Sequence, residues 1–307
     1  MQQLTRRPAP SKDVGFAPPA LRVGAPGTWP LADLALRVPV VQAPLGACDG
    51  PRLAGAVSRA GALGCLTVHA TPADKLRRRL AILRSITPRP ALIAFTAEWQ
   101  RETVTQTCLD VGCRHYQVFW WNGPRLIRPL QRAGATVFWQ VGTPMQAHEA
   151  LDAGADVLVV QGTQAGGQVR SPYPLRELLT ELVVETKGRV PIVAGGGLAD
   201  AHDVTNVLSW GASAALLGTR FLLTHESTAP TRHKARLLRA SHYQLHLDGR
   251  MVGNWPCAPR RRLRTHFDED APSLLAGHGI GRINDVSSAA DVLRRLAPRF
   301  IAQREDA

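Results

Sequence analysis

Two glycine turns carry the clearest chemistry in this sequence. The run Val190-Pro-Ile-Val-Ala-Gly-Gly-Gly-Leu-Ala-Asp200 is followed about twenty residues later by Ala214-Ala-Leu-Leu-Gly-Thr-Arg220. In each, an apolar stretch ends in glycine and gives way to a helix-compatible segment, the pattern of a buried parallel strand that delivers bare backbone N–H groups to an anion. Two such turns on successive strands make a phosphate cradle. Glycine lets the phosphate approach the backbone, a helix starting near Asp200 adds a favourable dipole, and Thr219 supplies a hydroxyl donor. This arrangement is expected after strands 7 and 8 of a (β/α)8 barrel, at its C-terminal face.

The rest of the chain supplies the elements such a cradle needs. Strand-like runs fall at 38–43, 64–69, 91–96, 115–120, 136–141, 157–161, 191–194 and 214–218. Helical segments are expected between them at 51–60, 72–85, 98–110, 123–133, 144–153, 175–186 and 201–210, with an eighth at 230–240. Small residues close several helices, as at Ala60-Gly61, Ala133-Gly134 and Ala153-Gly154, which is C-cap chemistry that returns the chain to a strand. Eight alternating units predict an α/β fold, a (β/α)8 TIM barrel. Residues 1–30, rich in Pro, Gly and Arg without periodicity, read as an N-terminal extension. The barrel spans 31–240. Residues 241–307 do not form another unit and read as a C-terminal appendage near the barrel mouth, with loop at 254–259 and a final amphipathic helix over 288–301.

Composition fits one such domain of 307 residues. No stretch of ~18 consecutive apolar residues is present to span a membrane, and the N-terminus has no apolar h-region of a secretory signal. Cys48, Cys65, Cys108, Cys113 and Cys257 form no metal-type pattern, so no metal is expected and the thiols read as reduced and structural in a cytoplasmic protein. The net charge of +13 comes from 37 basic residues spread along the chain, with one dense run at Arg260-Arg-Arg-Leu-Arg264. Without aromatic interleaving or a recognition motif this argues against nucleic-acid binding; positive potential would instead draw in small anions.

Four segments in order, Val41-Gln-Ala-Pro-Leu-Gly46, Val160-Gln-Gly-Thr-Gln-Ala-Gly-Gly-Gln168, Ala194-Gly-Gly-Gly-Leu-Ala-Asp200 and Leu216-Leu-Gly-Thr-Arg-Phe221, resemble the nitronate monooxygenase family, also called 2-nitropropane dioxygenases. The tail pieces 254–264 and Ala276-Gly-His-Gly-Ile-Gly281 are similar to tail motifs of that family, so the resemblance covers roughly residues 30 to 300. It implies FMN. By motif, the phosphate would lie on the backbone of Gly196, Gly197, Gly218 and Thr219, with Leu216 and Leu217 leading into the second turn. Ala43, Pro44 and Leu45 would lie along the isoalloxazine, and Gln161, Gly166 and Gly167 match flavin-contacting positions. Gln140 is either a polar group facing inward or a buried structural amide.

Two positions depart from the family. Where its proposed base is a histidine, this chain has Gln168, and an amide cannot accept a proton near pH 7. The family's asparagine near the end of strand 3 falls on Ala94. A replacement base is sought first at His69, at the end of the second strand; His278 in the tail is a second candidate, and His115 falls at the wrong end of a strand. Trp120 and Trp121 are candidates to wall the pocket. The resemblance thus implies an FMN-dependent oxidoreductase acting with molecular oxygen on a small, anionic nitronate or related carbanion. Two alternatives stay open: an NAD(P)H-dependent reductase similar to enoyl-thioester reductases, and a flavin-binding protein with lost or altered catalysis. Homo-oligomerisation is left open.

Overall fold

The computed structural model describes residues 34, 36–69, 71–97, 102–119, 124–249, 258–264 and 274–302. The expected extension over 1–30, Trp120, Trp121 and Cys257 lie outside these residues. Eight strands run parallel: β1 (Val40–Gln42), β2 (Gly64–Thr67), β3 (Ala91–Thr96), β4 (His115–Phe119), β5 (Thr136–Val141), β6 (Val157–Gln161), β8 (Ile192–Gly195) and β9 (Ala214–Leu217). Between β6 and β8 lies a two-residue strand, β7 (Gly167–Gln168), which belongs to a separate sheet. The sheet order is β1-β9-β8-β6-β5-β4-β3-β2, so its ends are the first two strands.

Those ends meet. Gln42 N–H donates to Leu63 O at 2.9 Å and Leu63 N–H to Val40 O at 3.0 Å, forming a parallel bridge between Val41 and Leu63. One step further the backbones part, and the buried Gln42 amide spans the seam, donating to Cys65 O (2.9 Å) and accepting from Cys65 N–H (3.2 Å). A side chain thus supplies the pairing that the strands no longer reach, and the ring is a (β/α)8 barrel.

The near-continuous burial of the strands follows from their having two covered faces. Val41, Cys65, Leu92, Ala94, Phe138, Val159, Val193 and Leu216 fill the barrel interior. Their neighbours Val40, Leu66, Ile93, Tyr116, Trp139, Leu158, Ala194 and Leu217 form the layer beneath the helices. The helices are α1 (Pro51–Arg59), α2 (Ala73–Ile86), α3 (Glu102–Asp110), α4 (Pro124–Arg132), α5 (Pro144–Asp152), α6 (Leu175–Thr186) and α7 (Ala201–Ser209). The helix α1 presses so close to β2 that a Cβ on Gly64 would lie 2.0 Å from Ala54 O.

The eighth helix of the ring is not where the sequence pattern put it. After β9 come a one-turn helix α8 (Thr219–Leu222) and α9 (Thr231–Leu238), but α9 packs its Leu237 with Leu274 and Ile280 rather than under the barrel. The helix that packs against both α7 and α1 is α10 (Ala289–Leu296), through Ala289, Val292, Leu293 and Leu296 in the outer core. Period alone could not choose between two amphipathic helices; burial did. The expected helix over 288–301 is broken at Ala297, ahead of Pro298, which starts α11 (Pro298–Ala302). Between α9 and α10 the chain forms β10 (Leu245–Asp248) and β11 (Arg260–Leu263), and β11 pairs antiparallel with both β10 and β7.

Candidate active site

A cavity of about 440 Å³ opens at the C-terminal ends of the strands, within the ~300–1,000 Å³ range of small-molecule sites. It brings together Ala43, Pro44, Leu45, His69, Gln140, Gln161, Gly166, Gly167, Gln168, Gly196, Gly197, Leu216, Gly218 and Thr219, all singled out from sequence. Leu217 is the exception: alternation turns its side chain into the layer beneath the helices, and only its carbonyl approaches, accepting from Ala43 N–H at 2.9 Å. Ala94 is buried in the barrel interior, below the cavity lining.

The two glycine turns sit side by side because β8 and β9 pair, with Gly195 opposite Leu216. Gly196 and Gly197 have φ of 138° and 81°, conformations that side chains rarely adopt, and a Cβ on Gly197 would lie 2.8 Å from Gln164 Cβ. A Cβ on Gly218 would project to 3.5 Å from Ala43 Cβ and 3.6 Å from Leu45 Cδ2, filling the gap between the turn and the apolar floor. The first N–H groups of α8 have no intrahelical acceptor, as at any helix start. The start of α7 is different. Asp203 N–H donates to Asp200 Oδ1 and Ala199 N–H to Asp203 Oδ2, so its own carboxylates occupy that terminus, whereas Gly196 and Gly197 line the cavity. Arg282 bridges this pair, with 2.6 Å bonds to Asp200 and Asp203 and a 3.2 Å bond to Gly197 O.

The floor is held from below. Buried Asp49 accepts hydrogen bonds from Leu45 N–H (2.9 Å), Thr67 N–H (3.0 Å) and the Thr67 hydroxyl, with Arg79 at 3.9 Å. Burial pushes its carboxyl above the usual range despite those partners. Nothing in the Cys48-Asp49-Gly50 stretch signals this role, because an acid ahead of a helix is most often a cap.

Gln161 uses both ends of its amide on the segment after β6, donating to Gln168 O (2.9 Å) and accepting from Arg170 N–H (3.3 Å). It therefore sets the position of Gln168. Gln140 accepts from Gln117 Nε2 at 3.2 Å inside the barrel. Gly166 meets the tail: a Cβ there would lie 2.5 Å from Ala276 C and Gly277 N. Its lack of a side chain is what lets the tail turn lie on the loop.

Of the histidines, His69 lines the cavity and packs edge-on to Phe119 at 6.5 Å. Burial, reinforced by the Arg79 charge, depresses its pKa to about 4, so it is neutral near pH 7 and a weak proton acceptor. His278 is outside the lining, its Nε2 2.8 Å from Arg261 Nη1; a guanidinium only donates, so this nitrogen is an acceptor already in use. His115 opens β4 at the opposite end of the barrel.

The tail contributes residues that the sequence reading missed: Arg260, Leu274, Leu275 and Gly277 line the cavity, as does His233 from α9. Arg261 is buried and clamps the loop after β6, donating to Ala165 O (3.1 Å) and Thr163 O (2.7 Å). Strand alternation within Arg260-Arg-Arg-Leu-Arg264 was the available signal, and it was hidden by reading the run as one basic patch. Among the described residues no cluster of His, Cys, Asp and Glu is placed to hold a metal, and no helix is long and apolar enough to cross a membrane.

The family model described as "Nitronate monooxygenase" matches residues 29–106 and 118–267. The chain is 32% identical over 254 residues to (3aS,4S,5R,7aS)-5-hydroxy-7a-methyl-1-oxo-octahydro-1H-indene-4-carboxyl-CoA dehydrogenase of Mycobacterium tuberculosis, covering 81% of this chain and 70% of that one. It is 29% identical over 330 residues to the nitronate monooxygenase of Neurospora crassa, covering 84% and 87%. Among solved structures, the nitroalkane oxidase of Streptomyces ansochromogenes superposes with a TM-score of 0.78 at 25% identity, over 90% of this chain and 99% of that one.

Proposed function

This chain belongs to the nitronate monooxygenase family of oxidoreductases, and from that premise we propose that it binds FMN and oxidises a preformed alkyl nitronate, or a related carbanion, to a carbonyl compound and nitrite with molecular oxygen. The observation that carries the reading is the joining, in one cavity, of two glycine turns, an apolar floor and an amide where a base would be needed. The backbone N–H groups at Gly196, Gly197, Gly218 and Thr219 would hold the terminal phosphate, with the Thr219 hydroxyl as an added donor. Ala43, Pro44 and Leu45, fixed by Asp49, would form the apolar support of the flat ring. When bound, FMN supplies electron acceptance from a carbanion and reaction with oxygen.

The protein's own groups then orient and screen rather than abstract. Gln168 donates or accepts hydrogen bonds but does not take a proton at neutral pH. His69, with a pKa of about 4, is far from the operating pH that favours general base catalysis, so its role is a neutral hydrogen-bonding wall. An already deprotonated nitronate needs no base, and a neutral nitroalkane does.

A second reading has a specific support: the relative at 32% identity acts, by its name, on a CoA thioester as a dehydrogenase. In that reading the same cavity serves NAD(P)H-linked redox chemistry on a thioester. One experiment separates the two. The purified protein is denatured to identify the released flavin, and its anaerobic bleaching is followed with nitronates, nitroalkanes and NAD(P)H. Rapid bleaching by nitronates alone supports the oxidase reading; rapid bleaching by NAD(P)H alone favours the reductase. A tightly held flavin reduced by none of them would mark a protein with lost catalysis.

A further inference from the structure

The three consecutive arginines of β11 do three different jobs. Arg261 is spent on the carbonyls of Thr163 and Ala165 and on His278. Arg262 lies 3.5 Å from the Asp248 carboxylate on the neighbouring strand. Arg260 lines the cavity, half-buried, and its Nε is buried with no hydrogen-bond partner among the described residues. It stands directly across the antiparallel pair from Gln168, and directly opposed residues on such a pair share one face. A guanidinium and an amide therefore look into the cavity side by side, on the wall that the tail builds.

We propose that Arg260 is a specificity-determining residue that binds a planar two-oxygen anionic group of the substrate, with Gln168 beside it as a neutral second donor. The inference rests on the reading of this cavity as the catalytic site. Guanidinium is planar and permanently charged, and it matches a two-oxygen anion bidentately. Half-burial makes an unmatched charge costly, so an anion arriving there gains more than it would at the surface. A carboxylate and a nitronate both present two oxygens in one plane, and the same geometry serves either. Phosphate recognition is already provided by the glycine turns across the cavity, so Arg260 adds a second anionic subsite rather than a duplicate of the first.

The test uses the flavin-loaded full chain and needs no turnover. Acetate and benzoate are titrated against the protein, with acetamide and benzamide as neutral controls, following the visible flavin spectrum and the thermal midpoint. At least one carboxylate should bind wild type and weaken about tenfold or more in Arg260→Met, the scale of a lost charge-assisted contact, while the amides are unaffected. Arg260→Lys, which keeps the charge but not the fork, should recover part of the affinity and guards against misfolding of the first variant. Propyl-2-nitronate, which has no carboxylate, distinguishes the sources: a raised KM for it in Arg260→Met places the nitronate oxygens on Arg260, and an unchanged KM with lost carboxylate binding places a substrate carboxylate there. Wild-type binding of neither carboxylate, or equal binding by wild type and both variants, overturns the proposal. If carboxylate binding depends on Arg260 but no nitronate is oxidised, the nitronate reading fails and the subsite stands.

Discussion

Thr219 Oγ1 accepts a hydrogen bond from the Gly277 backbone N–H at 3.0 Å, so the hydroxyl beside the second glycine turn is tied to the turn of the tail that lines the cavity. An acceptor role leaves the hydroxyl proton free to point elsewhere, and the same oxygen can serve tail and phosphate together. Thr219→Val should therefore lower flavin affinity by roughly tenfold, about 1–1.5 kcal/mol for a hydrogen bond lost on a part-buried group, with Thr219→Ser close to wild type. Fluorescence titration of the apoprotein with FMN measures it; equal affinity in Val and wild type would contradict the assignment.

The tail turn lies against the first glycine turn as closely as backbone allows. A Cβ on Gly279 would fall 2.6 Å from Gly197 O, and that oxygen belongs to backbone that cannot swing aside. Gly279→Ala should displace the tail from the site, loosening the flavin and exposing it to iodide quenching. As a comparison, Gly134→Ala meets nothing within 4 Å but has φ of 75°, so it should cost about 1–2 kcal/mol of stability, the penalty of a Cβ in the left-handed region, and leave quenching unchanged.

His69 binds a proton less readily in the folded chain than in the unfolded one, with a pKa of about 4 against an ordinary ~6.5. The unfolded state therefore gains protons first as pH falls. The native state loses stability through this group between pH 6.5 and 4, and is unaffected by it above 6.5. His69→Gln should flatten that part of the stability profile, measured as urea midpoints at pH 7 and 5. It should also leave the nitronate pH–rate profile between 6 and 8 without a lost inflection. Disappearance of a pKa near 6.5 would make His69 the working base.

Gln168→His introduces an imidazole opposite the Arg260 guanidinium. The variant should gain activity on neutral nitroalkanes, with a rising limb whose midpoint lies below ~6.5, because the adjacent positive charge disfavours imidazolium. Steady-state rates from pH 5 to 8 test both the gain and the direction of the shift; no gain at any pH would mean that proton abstraction is not what this position limits.

Leu293 of α10 is fully buried in the outer core. Leu293→Ala should destabilise the chain by about 2–5 kcal/mol, a large drop in thermal midpoint, while the flavin contacts made by the folded fraction are unchanged. A small drop would mean that α10 is a peripheral helix rather than the eighth of the ring.

The sequence made the barrel legible because its strands are largely apolar runs and several of its helices end at Ala-Gly pairs, patterns that depend only on local chain. The glycine turns were legible for a similar reason: Gly196 and Gly197 adopt φ values that side chains rarely reach, a requirement of the local chain alone. What was hidden depends on contacts between distant residues. Gly166 reads as a ligand contact, yet its lack of a side chain also answers Ala276 and Gly277, more than a hundred positions away. Asp49 reads as an ordinary acid until Thr67 and Arg79 close around it. The Arg260 run reads as one patch until pairing with β7 divides its faces. Leu217 was read with Leu216, and only the two-residue period of the strand separates them.

The placement of α10 changes what the segment over the cavity is. The described residues between α8 and α10 lie outside the ring of eight strands, and α10 packs back on α1 and α7, so the wall they add to the cavity is anchored on both sides within a single βα unit rather than hanging from the end of the chain. It resembles a cassette: an exchangeable stretch whose two splice points lie in the ring and whose Arg260, Leu274, Leu275 and Gly277 line the cavity. Grafting the corresponding stretch of a relative between the ends of α8 and α10 would transfer a wall of the cavity while keeping all eight strands and both glycine turns native. Cutting the chain before α10 would instead open the ring itself, so selectivity here is better reshaped by replacement than by deletion.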